Sequence, residues 1–238
     1  MRIAIVTFDG FNELDSFIAL GLLNRLGSRG WKAEITGPAA RLTSMNGVTI
    51  EAQQPLEFAN EADAVLFGSG IYTRAIADSF GTHGSPLDRL QLDPVRQTLG
   101  AQCSGALLLA RLGLLGDQAA ATDLTTRPWL MEAGVRVEEA PFHARGSVAT
   151  AGGCLASQYL AAWLMVRGRL GRRRAGPALR RAGGREGRLR GTPPRRRAPL
   201  HRRAGAGLKR GLPLPVAGEG RGKGEGPRLK PPNARSAR

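Results

Sequence analysis

Thr98-Leu-Gly-Ala-Gln-Cys103-Ser-Gly-Ala-Leu-Leu-Leu-Ala-Arg-Leu-Gly-Leu-Leu115 changes its periodicity halfway along. Up to Gln102 it is a short apolar run of strand length. Beyond Gly105, Leu107, Leu108, Ala110, Leu112 and Leu115 give a buried helix. Cys103 stands at the break. A thiol at a strand-to-helix turn points out of the backbone and rests on a helix N-terminus, where unpaired N–H groups and the dipole favour a thiolate. The nucleophile elbow of hydrolases has this geometry, with a glycine after the nucleophile to let the chain turn. The competing reading is a packed structural cysteine, the common fate of a free thiol.

Working outward, residues 3–7 are a short β-branched run of strand type, and Asp9-Gly10 turns the chain. Asp15 or Ser16 is placed to cap a helix carrying Phe17, Leu20, Leu23 and Leu26 on one face and ending near residues 27–30. Residues 32–36 read as a second strand. Asn46-Gly47 is a hairpin turn between residues 42–45 and 48–50. Residues 62–67 read as a third parallel-type strand, closed by Gly68-Ser69-Gly70. Helices are expected at 72–80, before Gln97, at 127–133 after Pro128, and at 154–166. Residues 148–150 form a last strand. Strands alternating with helices predict a three-layer α/β/α domain with a mostly parallel sheet. Ligand sites in such sheets lie beyond the carboxyl ends of the strands. The 9–15 loop, the 68–73 loop and the Cys103 elbow all meet that condition, bringing an acid, a glycine-containing loop and a thiol to one edge.

Charge divides the chain near Arg167. Residues 1–166 hold 12 basic and 16 acidic residues, whereas residues 167–238 hold 23 basic and 3 acidic. The net charge of +16 therefore belongs to the C-terminal part, and the first 166 residues are mildly acidic. They are enough for one domain with a sizeable core. Two cysteines in no framework spacing suit a reducing, cytoplasmic setting. The N-terminal apolar run is too short for a signal peptide, and the stretch 154–166 is too short to span a bilayer, so no membrane role is expected.

Four motifs, in order and spacing, resemble the ThiJ/PfpI superfamily. They are Val6-Thr-Phe-Asp-Gly-Phe-Asn-Glu-Leu-Asp15, Ala64-Val-Leu-Phe-Gly-Ser-Gly70, Gln102-Cys-Ser-Gly105 with Leu112-Gly-Leu-Leu115, and Ala149-Thr-Ala-Gly-Gly153. The isonitrile-hydratase-like branch is the nearest in pattern. The resemblance covers about residues 1–166 and implies a flavodoxin-like fold. It places Cys103 on the family's nucleophile and Asp15 on the acid that hydrogen-bonds it. The backbone N–H groups of Gly70 and Ser104 fall on an oxyanion hole. It implies a homodimer, a small-molecule substrate and no cofactor. A thiolate would attack an electrophilic carbon while fixed donors stabilise the developing charge. A carboxyl beside a thiolate is driven protonated, so Asp15 would serve as general acid. Two positions depart from the pattern. Ser69 replaces the first glycine of a Gly-Gly pair, and Asp123 occupies the place of a downstream histidine. A carboxylate does not do neutral imidazole's work at pH 7 without a raised pKa. Protease chemistry is thereby disfavoured, and acid-assisted addition or a redox role is favoured.

The expectation is a cysteine-dependent hydratase or hydrolase acting on a small electrophile, of isonitrile or reactive-carbonyl type. The alternative is a non-catalytic redox sensor or ligand-binding regulator of the same fold. Asp123 is equally a pocket residue or a helix cap for 124–130. Glu13 reads as a solvated loop acid and Cys154 as a packed small residue. Tyr72 and Arg74 read as pocket wall or surface. His83 and His143 lack partners at ligand spacing, and no metal site is expected. Gly68-Ser69-Gly70 lacks the full dinucleotide fingerprint.

Residues 167–238 contain 20 Arg, 15 Gly, 9 Pro and 9 Ala. Such a segment cannot bury enough apolar surface to offset its ordering entropy, and disorder is expected. A basic arm binding nucleic acid nonspecifically and an inert extension are two readings. The favoured one is an out-of-frame translation of GC-rich sequence, because the family pattern stops inside the last helix. The domain would then lack its final element.

Overall fold

The strand Arg2–Val6 (β1) alternates its side chains between two faces. Ile3 and Ile5 enter one apolar cluster, and Ala4 and Val6 enter another. A strand buried on both sides needs helices on both sides, which is the layered arrangement found here. The computed structural model describes residues 1–174, with side chains through Gly168. The expectations for residues 175–238 lie outside the described residues.

After β1 come Glu13–Asn24 (α1) and Lys32–Gly37 (β2). Arg41–Thr43 (β3) and Thr49–Glu51 (β4) form the antiparallel hairpin expected around Asn46-Gly47. Gln54–Pro55 (β5), Phe58–Glu61 (α2), Ala64–Phe67 (β6) and Thr73–Asp78 (α3) follow. Then come Thr98–Gln102 (β7), Gly105–Arg111 (α4), Arg127–Glu132 (α5), Phe142–Arg145 (β8), Val148–Ala151 (β9) and Ser157–Arg174 (α6). One-turn 3₁₀ helices occur at Gly27–Arg29, Pro86–Arg89 and Cys154–Ala156.

The main sheet has the order β5-β2-β1-β6-β7-β9-β8. All its neighbours are parallel except β8, which runs antiparallel to β9. On one face α1 and α6 pack through Ala19, Leu23, Leu160 and Leu164 onto Ile3, Ile5 and Leu66. On the other, α4 and α5 bring Leu107, Leu108, Leu109 and Leu130 onto Val6, Val65, Phe67 and Leu99. Gly100 lets Leu160 and Leu66 close over the sheet, since a Cβ there would meet both at 2.8 Å.

Some local expectations are corrected. Asn12, not Asp15 or Ser16, caps α1, its side-chain oxygen accepting the Leu14 N–H at 3.1 Å. Asp15 and Ser16 instead lie on the buried face with Ala19 and Leu23, while Phe17 is largely outward. The helix expected before Gln97 is only the turn Pro86–Arg89. The last helix runs to Arg174, past residue 166. No helix among the described residues is long and apolar enough to cross a membrane.

Candidate active site

Cys103 is the residue of the elbow. It is the only non-glycine among the described residues with positive φ, at +52°. That region is disfavoured for a residue with a Cβ, so the surroundings must hold it there. They do so at both ends: the Cys103 N–H donates to the Ala151 carbonyl at 2.9 Å, and its own carbonyl accepts the Thr122 hydroxyl at 2.9 Å. Gly105 follows because α4 starts against the β6 turn. A Cβ on Gly105 would lie 2.5 Å from the Gly68 carbonyl oxygen.

The loop after β1 is tied to this edge. Phe11 bridges to both Ser44 and Gly70. Gly70 is obligatory there, since its Cβ would lie 2.5 Å from the Gly10 carbonyl oxygen. From α1, Asp15 points under the elbow and is fully buried. Its backbone carbonyl accepts from the Gln102 side chain, and its Oδ2 accepts from the Ser69 hydroxyl. Its Oδ1 is buried with no partner among the described residues.

A carboxylate oxygen of Asp15 and the sulfurs of Cys103 and Cys154 all lie within 4.8 Å of one another. The Cys103 S–H, however, donates to Asp123 Oδ2 at 3.2 Å, while Asp15 is held by Ser69. Asp123 is cap and site residue at once. Its Oδ1 accepts the N–H groups of Thr125 and Thr126 at 2.9 and 3.0 Å, leaving Oδ2 for the sulfur.

The electrostatics split the two acids. Burial pushes Asp15 up to about 6, against the Ser69 hydrogen bond and with help from the Asp123 charge. Asp123 is half-buried, but bonds from Thr126, Cys103 and the turn amides hold it below the usual carboxylate range. Cys103 is raised above the ordinary thiol value by burial and by Asp15 and Asp123. This corrects the expectation of a favoured thiolate: two acids face the sulfur, and among the described residues no Lys or Arg lines its cleft. The thiol is stored protonated, hydrogen-bonded to an ionised acceptor.

Gly70 N–H donates to Thr73 Oγ1 at 3.0 Å. Thr73 also accepts from the Ser104 hydroxyl at 2.9 Å. To serve an oxyanion, the Gly70 amide must leave Thr73. Cys154 is placed differently from the expected packed residue: it faces Cys103, and its sulfur accepts from Asn12 Nδ2 at 3.0 Å. Arg74 is not in the cleft. It pairs with Asp78 and Glu132 and lies over the Trp129 ring at 5.2 Å, in a separate pocket of about 310 Å³. Tyr72 is half exposed. Glu13 is engaged, accepting from Ser44 and from Asn46 at 2.9 Å and so clamping the hairpin turn. His143 pairs with Glu138 at 2.8 Å.

The cleft above Cys103 has a volume of about 360 Å³. Met45, Ile71 and Trp129 give it apolar walls, and Asp123 is its one charged lining residue among the described residues. The sequence reading missed Asn12, Thr73 and these three wall residues. Asn12 lies inside the first motif and is a good N-cap type, so a signal existed. The wall residues come from separate loops and carried none.

The chain that carries this site has the fold of the DJ-1/ThiJ/PfpI structures. DJ-1 from Schizosaccharomyces pombe superposes with a TM-score of 0.57 at 14% identity, covering 70% of this chain and 91% of its own. A ThiJ/PfpI family protein from Pseudomonas syringae gives 0.60 at 20% identity, covering 77% and 78%. A ThiJ/PfpI domain protein from Brachyspira murdochii gives 0.57 at 20% identity, covering 72% and 96%. No family model and no curated protein sequence matches the chain.

Proposed function

We propose that this protein is a cysteine-dependent enzyme that adds water to a small, uncharged electrophile, of isonitrile or reactive-carbonyl type. The observation that carries the proposal is the pair of acids with opposite tendencies around one sulfur. Groups whose surroundings push their pKa values apart divide naturally into base and acid. Asp123 is ionised and already holds the Cys103 proton. Asp15 retains its proton up to about pH 6.

As the Cys103 sulfur bonds to the electrophilic carbon, its proton passes to Asp123. Asp15 donates a proton to the atom on which the electron pair collects, the terminal carbon of an isonitrile (giving a thioimidate) or the oxygen of a carbonyl. Water then displaces the sulfur, giving an N-substituted formamide from an isonitrile. From a 2-oxoaldehyde, the sulfur adduct is a hemithioacetal, whose C1 hydrogen moves to C2 as a proton through an enediol; water then cleaves the resulting thioester to a 2-hydroxy acid and frees the Cys103 thiol. Because the thiol reacts from its neutral, hydrogen-bonded form, a separate cationic base is not required. The apolar walls and the lone Asp123 charge favour a neutral substrate over an anionic one.

The test is turnover of an alkyl isonitrile and a neutral 2-oxoaldehyde by the full chain, with a 2-oxo acid as the anionic control. The neutral compounds should be consumed by the wild type and left untouched by Cys103→Ser. Undiminished turnover in Cys103→Ser would refute the proposal. The second reading, a redox-sensing or ligand-binding regulator, is favoured by Cys154, whose sulfur lies within 4.8 Å of that of Cys103. It predicts oxidation or binding at Cys103 with no turnover.

A further inference from the structure

Cys154 is a nucleophilic group that the proposed reaction leaves unused. It lies three residues beyond Ala151, which pairs with Gln102 across β7 and β9 and whose carbonyl receives the Cys103 N–H. Adjacent parallel strands therefore deliver two thiols to one edge of the sheet. Their sulfurs lie within 4.8 Å of each other, Cys154 is partly exposed, and Cys103 lines the cleft. Cys154 opens a one-turn helix after Gly152-Gly153, and Asn12 Nδ2, at the N-cap of α1, donates to its sulfur. Closing from this separation to a bond of about 2 Å needs side-chain rotation at a position preceded by two glycines.

We propose that Cys103 and Cys154 form an intramolecular disulfide when Cys103 meets a hydroperoxide, with Cys154 as the resolving thiol. The inference rests on the Cys103 reactivity described above. In the first step the Cys103 sulfur attacks the terminal peroxide oxygen. The S–O bond forms, the O–O bond breaks, and the thiol proton leaves with the other oxygen as water or alcohol. In the second, the Cys154 sulfur attacks the sulfenic sulfur. The S–S bond forms, the S–O bond breaks, and the hydroxyl departs as water with the Cys154 proton. The sulfur pair loses two electrons, and the hydroperoxide gains them. A low-molecular-weight dithiol restores both thiols by exchange.

The charges around the site select this product over further oxidation. A sulfinic acid is ionised at neutral pH and would stand beside ionised Asp123, with no Lys or Arg among the described residues lining the cleft. The disulfide is neutral and carries no such penalty. The Asp123 carboxylate that accepts the Cys103 S–H thus disfavours the anionic oxidation product, and the disulfide preserves the sulfur in recoverable form.

The experiment treats the full chain with a several-fold molar excess of hydrogen peroxide, blocks free thiols, and maps both cysteines by peptide mass spectrometry. Wild type should lose the mass of two hydrogens and yield a linked Cys103–Cys154 peptide, fully reversed by dithiothreitol. Cys154→Ser should instead gain the mass of two oxygens at Cys103, with loss of reversibility. Iodoacetamide labelling of Cys103 before oxidation should proceed equally in both proteins. A Cys103 sulfinate beside a free Cys154 in wild type, or a disulfide between two chains, would overturn the inference while leaving the labelled nucleophile intact. A Cys103 inert to both peroxide and iodoacetamide would overturn this inference and the proposed function together.

Discussion

Replacing Asp15 by asparagine should stabilise the protein at neutral pH and leave it nearly unchanged in acid. Asp15 is shut off from solvent, and burial raises its carboxyl to about 6. The unfolded value is near 3.9. The folded chain therefore holds this proton more tightly than the unfolded chain. Its contribution to stability is fully present below about pH 4 and is lost as pH climbs through about 6. Two pK units at about 1.4 kcal/mol each amount to about 3 kcal/mol lost by pH 7.5. Asparagine keeps an acceptor for the Ser69 hydroxyl and has no proton to lose. Urea unfolding of both proteins, from pH 4 to 7.5, isolates the effect, because every other titrating group is common to the pair. Asp15→Asn should be more stable by up to about 3 kcal/mol at pH 7.5, shrinking below about 1 kcal/mol at pH 4. A difference that stays constant across the range, or a variant weaker at pH 7.5, would show that Asp15 does not carry the raised carboxyl and is not the proton donor.

Other outcomes follow from the same geometry. Turnover of a neutral electrophile should decline as pH rises through about 6, because Asp15 must be protonated to donate; a rate that climbs across that range excludes Asp15 as the acid. Asp123→Asn removes the anion that accepts the Cys103 proton. Iodoacetamide labelling at pH 8 should speed up while turnover falls, and a parallel change in both would separate Asp123 from the chemistry. Gly105→Ala places a Cβ against the Gly68 and Phe67 carbonyl oxygens, which are backbone and cannot swing aside. It should cost about 1–3 kcal/mol in urea unfolding and suppress Cys103 labelling. Leu160→Ala empties a fully buried position over Gly100 and should cost about 2–5 kcal/mol without changing Cys103 labelling at pH 8.

The sequence by itself determined the layers. β1, β2, β6, β7 and β9 are runs of apolar or β-branched residues between turn residues, and such runs in alternation with helices have few other solutions. It also marked the elbow, since a strand that ends in Cys-Ser-Gly before a leucine-rich helix is a local pattern. What it did not reveal was short or non-local. β5, α2 and β8 have two to four residues each, too few for any period to register. The start of α1 was misplaced because Asp15 is a good cap by type, yet the fold needs it buried beneath Gln102 and Ser69. Asp123 looked evenly divided between cap and site because its two oxygens do both jobs, and only the position of Cys103 reveals the second.

Cys154 shows the division most clearly. In sequence it is a small apolar-type residue at a helix start, 51 positions from Cys103. Strand pairing between β7 and β9 turns that separation into neighbouring sulfurs. Periodicity reports which side of an element is buried. It carries no information on which loops from distant elements share an edge, and the charge seen by a sulfur is set there. The sequence therefore determined that a thiol would stand on a turn. With Asp15 already expected at that edge, tertiary structure decided that the Asp123 carboxylate would take the thiol's hydrogen bond and that a second thiol would face it, because electrostatic energy depends on distance through space and not along the chain.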